Sequence, residues 1–279
     1  MKVLIDGDIL VYRMAWACQK THYTHEGTGE FFDTMTKAKK WHKEEMGDVA
    51  DFTEGWQIVE EIEPWKSCKF LIDNCMQGIL NACGTEEYQV FLTPPNCFRY
   101  DVATLNPYKS GRKEAPHWKK EAIRYLTKEY RAYTSDRRME ADDMLGMNQT
   151  TDTIIASIDK DLYMIPGRHY DIVKQTFKEI DLQAADDWFF IQLISGDPTD
   201  SIKGLEGYGP VKAKGVLEEF SGDHKGLVEE IHELYELQHP GMGKEAMIET
   251  AQLVYIYRSN DMVGREQWRD LLLLNEKTA

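Results

Sequence analysis

Three short, uninterrupted apolar runs constrain the fold of this chain more than any other feature. They cover residues 3–5, 90–92 and 153–156. Continuous runs of this length are typical of strands that are buried on both faces of a parallel sheet. Helical stretches separate them along the chain. The pattern therefore predicts an α/β fold with a mainly parallel central sheet flanked by helices.

Acidic residues stand where these runs end or where a helix begins. Asp6 follows the first run directly, and Asp159 and Asp161 follow the third. In open α/β sheets the ligand crevice lies outside the carboxyl ends of the strands, so acids that are distant along the chain converge there. The full set is Asp6, Glu140, Asp142, Asp143, Asp159, Asp161, Asp197 and Asp200.

Carboxylates gathered at one place raise the pKa of one another unless a cation intervenes. Two Mg²⁺ or Mn²⁺ ions about 4 Å apart would satisfy this charge, and such a pair is the usual apparatus of phosphodiester hydrolysis. Helix capping is the alternative for residues 140–143, which precede an apolar helix. It leaves Asp6, Asp159 and Asp161 unexplained, so the working hypothesis is a metal-dependent nuclease.

Composition sets broad limits. The 279 residues with 42% apolar content are enough for one large or two smaller domains. No apolar run approaches the ~20 residues of a membrane span, and the apolar start is too short for a signal peptide. Five cysteines fit a reducing compartment, so we expect an intracellular protein without membrane contact. Cys18, His22 and His25 could hold zinc, but no second ligand pair follows at finger-like spacing, which argues against a zinc site.

The net charge of −15 is unevenly distributed. Residues 109–138 contain ten Lys and Arg against four Asp and Glu. If residues 118–133 are helical, apolar side chains form one stripe and Lys120, Arg124 and Lys128 line another face. A solvated amphipathic helix is the plainer interpretation of such a run. Because acidic clusters neighbour this basic segment in the sequence, we interpret its basic face as a surface that binds the phosphates of a nucleic acid.

A second signal covers residues 186–220, which have the pattern helix, glycine-rich loop, helix. Pro210 suits the first position of the second helix. Gly204, Gly207 and Gly209 allow the backbone to present N–H groups to a phosphate at a helix N-terminus. Lys212 and Lys214 lie just inside that helix. No strand precedes the glycines, which argues against a dinucleotide site.

Five motifs in this order resemble the 5′ nuclease superfamily of flap endonucleases and 5′–3′ exonucleases, in particular the bacteriophage exonucleases. They are Ile5-Asp6-Gly7-Asp8, Asn106-Pro-Tyr-Lys-Ser-Gly-Arg112, Glu140-Ala-Asp-Asp143, Ser157-Ile-Asp-Lys-Asp161, and Gly196 to Gly204 followed by Gly207-Tyr-Gly209. The resemblance implies a PIN-like or resolvase-like sheet domain over residues 1–180 with an arch or gateway at 100–138. It also implies a helical duplex-binding region over residues 181–279, with a helix–three-turn–helix at 186–220.

The resemblance also implies roles for individual residues. Lys109 and Arg112 would polarise the scissile phosphate at the gateway, Tyr108 would stack on a base, and Arg13 would contact a phosphate. A K⁺ ion is implied at the glycine loop. The first metal site would comprise Asp6, Glu140, Asp142 and Asp159 with Asp143 beside them, and the second Asp161, Asp197 and Asp200.

The activity implied is a structure-selective 5′–3′ exonuclease or flap endonuclease that uses two metal ions. Its expected substrate is duplex DNA with a 5′ end or flap, with RNA–DNA hybrid as a further candidate. The expected state is a cytoplasmic monomer, in the host cell if phage-encoded, with a replication protein as candidate partner. Phage replication, primer removal and host DNA degradation all fit. The alternatives are a PIN-type ribonuclease and a non-catalytic DNA-binding protein. PIN-type domains lack such a glycine loop, which argues against the ribonuclease. A protein that only binds DNA needs no set of eight carboxylates, which argues against the DNA-binding protein.

Two regions depart from the expected pattern. Thr93, not an acid, follows the second apolar run, so the first metal site is predicted to be a ligand short. Asp8 or Asp73 could compensate, although capping and a solvated helix position are their plainer roles. Residues 21–65 show no sustained periodicity and are predicted to be a flexible or partner-ordered insertion. From residue 244 onward, Ala246, Leu253, Val254 and Tyr257 have helical spacing and should pack on the domain.

Overall fold

The computed structural model describes residues 1–47, 54–111, 114–258 and 267–274. The strands are β1 Lys2–Asp6, β2 Gln19–His25, β3 Phe31–Phe32, β4 Trp56–Ile62, β5 Tyr88–Leu92, β6 Tyr133–Thr134, β7 Thr153–Ser157, β8 Gly167–Asp171, β9 Thr176–Ile180, β10 Gly196–Asp197 and β11 Ile202–Lys203. The helices are α1 Gly7–Ala17, α2 Met35–Glu45, α3 Trp65–Cys83, α4 Arg99–Val102, α5 Lys119–Glu129, α6 Ala141–Asn148, α7 Leu182–Ser195, α8 Pro210–Glu219, α9 His224–Gln238, α10 Gly243–Val254 and α11 Gln267–Leu271, with a 3-10 helix at Asp161–Met164.

The chain divides into two compact units. The first comprises residues 1–9, 78–114 and 130–279, and the second residues 10–77 and 115–129. In the first unit, side chains from both sides of residue 180 share one hydrophobic core, in which Leu4 and Ile155 from the sheet join Phe189, Leu193 and Tyr235 from α7 and α9. None of the helices in the described ranges is both long and apolar enough to cross a membrane.

The first unit contains a six-stranded sheet in the order β6-β5-β1-β7-β8-β9. Adjacent strands are parallel except for the β8–β9 hairpin at one edge, which is antiparallel. All three apolar runs are buried strands at the centre of this sheet, because each has apolar side chains on both faces. The predicted fold class is therefore confirmed. Since β1, β5 and β7 are parallel, their carboxyl ends lie at the same edge.

Two predicted helices end earlier than expected. The basic helix ends at Glu129, and Tyr133 belongs to β6, where it pairs with Phe91. Arg131 between them has φ +52°, a left-handed conformation that breaks the helix. At the other end, α10 stops at Val254 and excludes Tyr257, because the capping residue has an extended backbone. The prediction that this helix packs on the domain is confirmed.

Residues 21–65, predicted to be a flexible or partner-ordered insertion, are folded in their described part, which contradicts the prediction of flexibility. Strands β3, β2 and β4 form an antiparallel sheet in the second unit, and Trp56 and Tyr23 share a small core with α2. His42 on that helix accepts a hydrogen bond from Nε1 of Trp56 at 3.1 Å. The sheet pairs residues as far apart as Gln19 and Ile62. Such pairing is non-local, so no single sequence window reveals it. Residues 48–53 lie outside the described ranges.

Candidate functional site

The eight predicted acids lie in the first unit, on elements that meet near the carboxyl edge of the sheet. Asp6 ends β1, Glu140 caps α6, Asp161 begins the 3-10 helix and Asp197 belongs to the β10–β11 hairpin. One small cavity brings five of the acids together. These are Glu140, Asp142, Asp161, Asp197 and Asp200.

Short hydrogen bonds connect the acids at the ends of β1 and β7. Ser157 Oγ donates to Asp6 Oδ2 at 2.7 Å and accepts from the Asp159 N–H at 3.0 Å. The Asp161 N–H donates to Asp159 Oδ1 at 2.9 Å. Gln192 on α7 donates to Asp161 Oδ1 at 2.5 Å. The parallel sheet and α7 thus hold Asp6, Asp159 and Asp161 as one connected group.

Four of these carboxyls have a raised pKa. Burial, followed by the charges of neighbouring acids, raises the pKa of Asp6 and of Asp161 from 3.8 to about 7. The same causes raise the pKa of Asp142 well above its ordinary value, and burial raises that of Asp197. Asp159 is a charged neighbour of all four. Among the described residues, the charges that act most on these four carboxyls are those of other acids, which disfavour their ionised forms.

Glu140 has the opposite electrostatic environment. Burial alone would raise its pKa, but Arg99 and Lys109 outweigh this and lower it to about 2. Arg99 Nη1 lies 3.2 Å from Glu140 Oε2, and Lys109 Nζ is ion-paired with Glu140 and, at 3.3 Å, with Asp200. Glu140 is therefore already neutralised by side chains of the protein.

Asp143 is not placed with the metal-ligand candidates, which corrects its predicted position beside the first metal. Arg99 donates to both of its carboxylate oxygens, at 2.6 and 2.8 Å. The Glu140 N–H also donates to it at 3.1 Å, completing a capping box. The side chain is fully buried. Adjacent helical residues point about 100° apart, so Asp142 faces the acids while Asp143 faces the core.

Tyr108 does not stack on a base as predicted, because its ring is in the core and only 6% exposed. Its hydroxyl lies 2.9 Å from Glu140 Oε2 and 2.9 Å from Asp200 Oδ2. Burial raises the pKa of this hydroxyl, which therefore stays protonated and can donate to either carboxylate. Tyr108 orients acids at the cavity rather than contacting nucleic acid.

Lys109 reaches the acids from a strained backbone. Its φ of +56° is in the left-handed region, and its N–H donates to the Asp200 carbonyl at 2.8 Å. Such a conformation costs energy in a residue with a side chain, so the surrounding contacts must hold it in place. The predicted gateway lysine is thus brought to the acidic cavity. Arg112 lies outside the described residues.

Asp8 approaches the position where β5 lacks a terminal acid. The Thr93 N–H donates to Asp8 Oδ1 at 3.3 Å, and Thr93 Oγ1 accepts from the Ala141 N–H at 2.9 Å. Burial raises the pKa of Asp8, whose charge also acts on Asp6. Asp73, the other candidate, accepts from the Tyr125 hydroxyl at 2.6 Å within the second unit. Asp8 is therefore the acid that joins the group.

The glycine loop serves two different purposes. A Cβ on Gly204 would collide with the backbone of Gly196 and Ile194, so its absence allows two chain segments to touch. Gly207 has φ +77° and open space around it, and Gly209 is the exposed N-cap of α8. Close packing explains the first glycine, whereas the other two leave the start of α8 open to a ligand.

The predicted DNA-binding cations are exposed. Lys212 and Lys214 lie on α8, where Lys212 Nζ is 3.6 Å from the centroid of the Tyr208 ring and Lys214 is 3.6 Å from Glu218. The others belong to the second unit and are Arg13 on α1 and Lys120, Arg124 and Lys128 on α5. On α5, Ala122 and Leu126 are buried opposite this basic face, as predicted.

The donor chemistry of the acidic group fits divalent cations such as Mg²⁺, which prefer carboxylate oxygens. Buried carboxyls that raise the pKa of one another are the physical sign of an uncompensated charge. In the described part of the chain, no three His, Cys, Asp or Glu side chains already surround a single point as ligands.

Sequence reasoning missed three residues of this site: Arg99, Ser157 and Gln192. Arg99 lies on the short helix α4 and meets Asp143 across 44 positions of sequence. No local pattern indicates such a contact. For Ser157 a sequence signal existed, because it is the first residue of the motif that carries Asp159 and Asp161.

Stability of the metal-free protein is expected to fall as the pH rises from about 4 to 7. The pKa of Asp6 and of Asp161 is about 7 in the folded protein against 3.8 ordinarily. Between these two pH values the folded protein keeps protons that the unfolded chain has lost. Stability from a raised pKa is lost as the pH passes through the folded value. The contribution of Glu140, with its lowered pKa, is already complete above 4.5. Thermal unfolding in EDTA measures the slope.

Added Mg²⁺ should raise the melting temperature more at pH 8 than at pH 5.5, because binding requires deprotonated ligands. Asp161→Asn should flatten the pH dependence in EDTA and reduce the effect of Mg²⁺. Asp136→Asn, at an exposed position, is the matched control and should behave like the parent protein. An Asp161→Asn protein with the parental slope would contradict the assignment.

Comparison with solved structures identifies the fold. A bacteriophage T5 D15 flap endonuclease variant, in a pseudo-enzyme–product complex with DNA and metal ions, matches with a TM-score of 0.57 at 15% identity, covering 98% of this chain and 96% of that one. A T5 5′-exonuclease with bound zinc matches with a TM-score of 0.54 at 15% identity, covering 91% and 89%. No protein-family model and no curated protein sequence matches. The chain has the fold of these T5 5′ nucleases.

Proposed function

We propose that this protein is a divalent-metal-dependent nuclease of the 5′ nuclease superfamily, acting near 5′ ends of duplex DNA. The observation that carries the proposal is a group of aspartates at the carboxyl edge of the sheet, Asp6 buried and Asp142, Asp161 and Asp197 half-buried, whose pKa is raised by burial and by the charges of neighbouring acids. A protein that only bound DNA would repel the phosphates with such a group. The shared fold with T5 5′ nucleases supports the same conclusion.

We propose two ligand sets that share Asp159, which is a charged neighbour of Asp6 and of Asp161. Asp6, Asp142 and Asp159, with Asp8 beside Asp6, would hold one Mg²⁺ or Mn²⁺. When bound, the two ions would supply an activated water and offset the charge of the phosphate. The second set is Asp159, Asp161, Asp197 and Asp200.

Among the cations in the described ranges, Lys109 is the one that we propose acts on the scissile phosphate. Its ammonium lies between Glu140 and Asp200 at the acidic cavity. A phosphate that approaches there gains a preorganised positive group, which typically contributes a few kcal/mol to lowering the barrier. The Tyr108 hydroxyl holds the same two carboxylates in orientation. Arg112, by the resemblance, would assist Lys109.

Duplex DNA would be held away from the acids by backbone and basic groups. The N-terminus of α8, with Gly207 and Gly209 exposed, can accept a phosphate, and Lys212 and Lys214 flank it. A K⁺ ion would suit the carbonyls of this loop. In the second unit, we propose the exposed basic face of α5 as a separate phosphate-binding surface. We propose a monomer that acts in DNA replication, primer removal or DNA degradation, with RNA–DNA hybrid as a second substrate.

Cleavage assays test the proposal directly. With Mg²⁺ or Mn²⁺, a 5′-flap duplex and a nicked duplex labelled at both ends should be cut near the 5′ end, and EDTA should abolish cutting. Product lengths distinguish exonuclease from flap endonuclease activity. Single-stranded RNA should be cut poorly. Preferential cleavage of that RNA would favour a PIN-type ribonuclease, and no cleavage of any substrate would refute the nuclease.

A further inference from the structure

Gln192 is a buried amide that has a hydrogen-bond partner at only one of its two ends. It lies on α7 among buried apolar residues and is 7% exposed. Its Nε2 donates to Asp161 Oδ1 at 2.5 Å. Its Oε1 is buried and has no hydrogen-bond partner in the described part of the chain. Burying an acceptor without a donor costs free energy, so such an atom in a folded protein indicates a water or an ion that completes it.

The hydrogen bond to Asp161 fixes the orientation of this amide. Asp161 must be ionised to bind a cation, and an ionised carboxylate accepts hydrogen bonds but cannot donate them. The nitrogen of Gln192 must therefore face Asp161, because the opposite orientation would place two acceptor oxygens 2.5 Å apart. The amide oxygen is thus the atom that still needs a donor.

Gln192 lines the acidic cavity together with Asp142, Asp161, Asp197 and Asp200. The volume of this cavity is about 30 Å³. That is enough for a water or a metal ion and far below the volume that an organic ligand needs. A neutral amide oxygen among carboxylates provides a further acceptor without adding negative charge. The lining therefore suits a small, positively charged occupant that carries hydrogen-bond donors.

The protein donors that line this cavity are already used by other acceptors. Each N–H group of the Arg99 guanidinium donates to a carboxylate or to a backbone carbonyl. The Tyr108 hydroxyl has a single proton and lies 2.9 Å from an oxygen of Glu140 and 2.9 Å from one of Asp200. The other side chains of the lining are carboxylic or aliphatic. Within the described ranges, the lining thus offers no further donor to Gln192 Oε1.

We propose that Gln192 is a positioning residue of the metal site that comprises Asp159, Asp161, Asp197 and Asp200. Its Nε2 orients Asp161, and its Oε1 accepts a hydrogen bond from a water that the bound cation holds. Mg²⁺ suits this role, because it keeps several of its waters when carboxylates bind it. This inference rests on the proposed function, since it takes a divalent cation as the occupant of the cavity.

Calorimetric titration with Mn²⁺ tests the role of Gln192 without measuring cleavage. Gln192→Met keeps the length of the side chain but removes both hydrogen-bonding groups. It should weaken Mn²⁺ binding at one site about 10-fold or more, which is the usual cost of removing the partner of a metal ligand. Gln183→Met is the matched control, because Gln183 is exposed on the same helix and donates to Asp187 Oδ1 at 2.8 Å. The control should bind Mn²⁺ as the parent does.

A double-mutant cycle shows whether Gln192 acts through Asp161. Asp161→Asn removes a ligand of the same site, so adding Gln192→Met should change the remaining Mn²⁺ affinity by less than about 2-fold. A further loss as large as that in the parent would show that Gln192 acts elsewhere, which would overturn the inference. So would equal Mn²⁺ affinity of the parent and Gln192→Met.

Thermal unfolding in EDTA distinguishes a role at the metal from a role in folding. Gln192→Met should melt close to the parent when no cation is present, because methionine removes the unpaired oxygen together with the hydrogen bond. The melting temperature in Mn²⁺ should then be lower for Gln192→Met than for the parent. If the two proteins differ as much in EDTA as in Mn²⁺, Gln192 is structural and the inference is wrong.

The inference and the proposed function fail in different ways. If the parent binds Mn²⁺ and cuts DNA while Gln192→Met binds Mn²⁺ equally well, the role of Gln192 is wrong and the nuclease stands. If Mn²⁺ binding depends on Gln192 but no DNA is cut, the role of Gln192 stands and the nuclease is refuted. A parent protein that binds no Mn²⁺ refutes both.

Discussion

Asp142→Asn should reduce the rate of DNA cleavage on the order of 10³-fold or more while leaving DNA binding intact. At the candidate metal group, burial and the charges of Asp6 and Asp159 raise the pKa of Asp142 well above its ordinary value. Asparagine keeps the shape of the side chain but removes the charge that a metal ligand needs. Single-turnover cleavage in Mg²⁺ and a gel shift in EDTA, on one preparation, measure the two properties.

The variant should fold at least as stably as the parent in EDTA. Because its raised pKa favours the neutral form of Asp142, the amide resembles the state that the metal-free protein prefers. Asp136→Asn is the control for a lost surface carboxylate and should cut normally. If Asp142→Asn retains the parental rate, the carboxylate is not a metal ligand. Loss of DNA binding together with cleavage would instead indicate a structural defect.

Arg99→Met should lower the free energy of unfolding by about 3–5 kcal/mol, the usual cost of leaving a buried carboxylate without its partner. Arg99 is buried and neutralises both Asp143 and Glu140. It also donates to the carbonyl of Leu253 near the end of α10 at 2.9 Å and to that of Tyr255, the residue after the helix, at 2.6 Å. Urea denaturation in EDTA measures the loss.

Two comparisons show whether burial of the ion pairs of Arg99 causes the predicted loss of stability. Lys37→Met breaks an exposed pair with Asp33 and should cost at most about 1 kcal/mol. Asp143→Asn added to Arg99→Met should recover part of the loss, since the buried charge is then gone. A cost for Arg99→Met as small as that of the exposed pair would show that the network does not stabilise the fold.

Much of the central sheet was predictable, because a strand buried on both faces is a continuous apolar run in the sequence. The runs at residues 3–5, 90–92 and 153–156 are apolar without alternation, and each is a strand. The helix after Pro210 was equally evident, since proline at the first helical position and glycine before it act within a few residues. The antiparallel sheet of the second unit was not, because β2 pairs with β4 across the whole insertion.

For the acids of the candidate site, too, local sequence predicts one part of the arrangement and long-range contacts decide the other. Their positions at strand ends and helix starts follow from the sequence, since parallel strands bring their carboxyl ends to one edge whatever the loops between them. Only the tertiary structure separates Asp142, which faces the other aspartates, from Asp143, which Arg99 neutralises. Likewise it decides that Tyr108 is buried and bonded to carboxylates. Local sequence pattern predicts which acids lie at strand ends and helix starts. The residues that pair with each acid come from distant segments of the chain, and only the packing of the core brings those segments together.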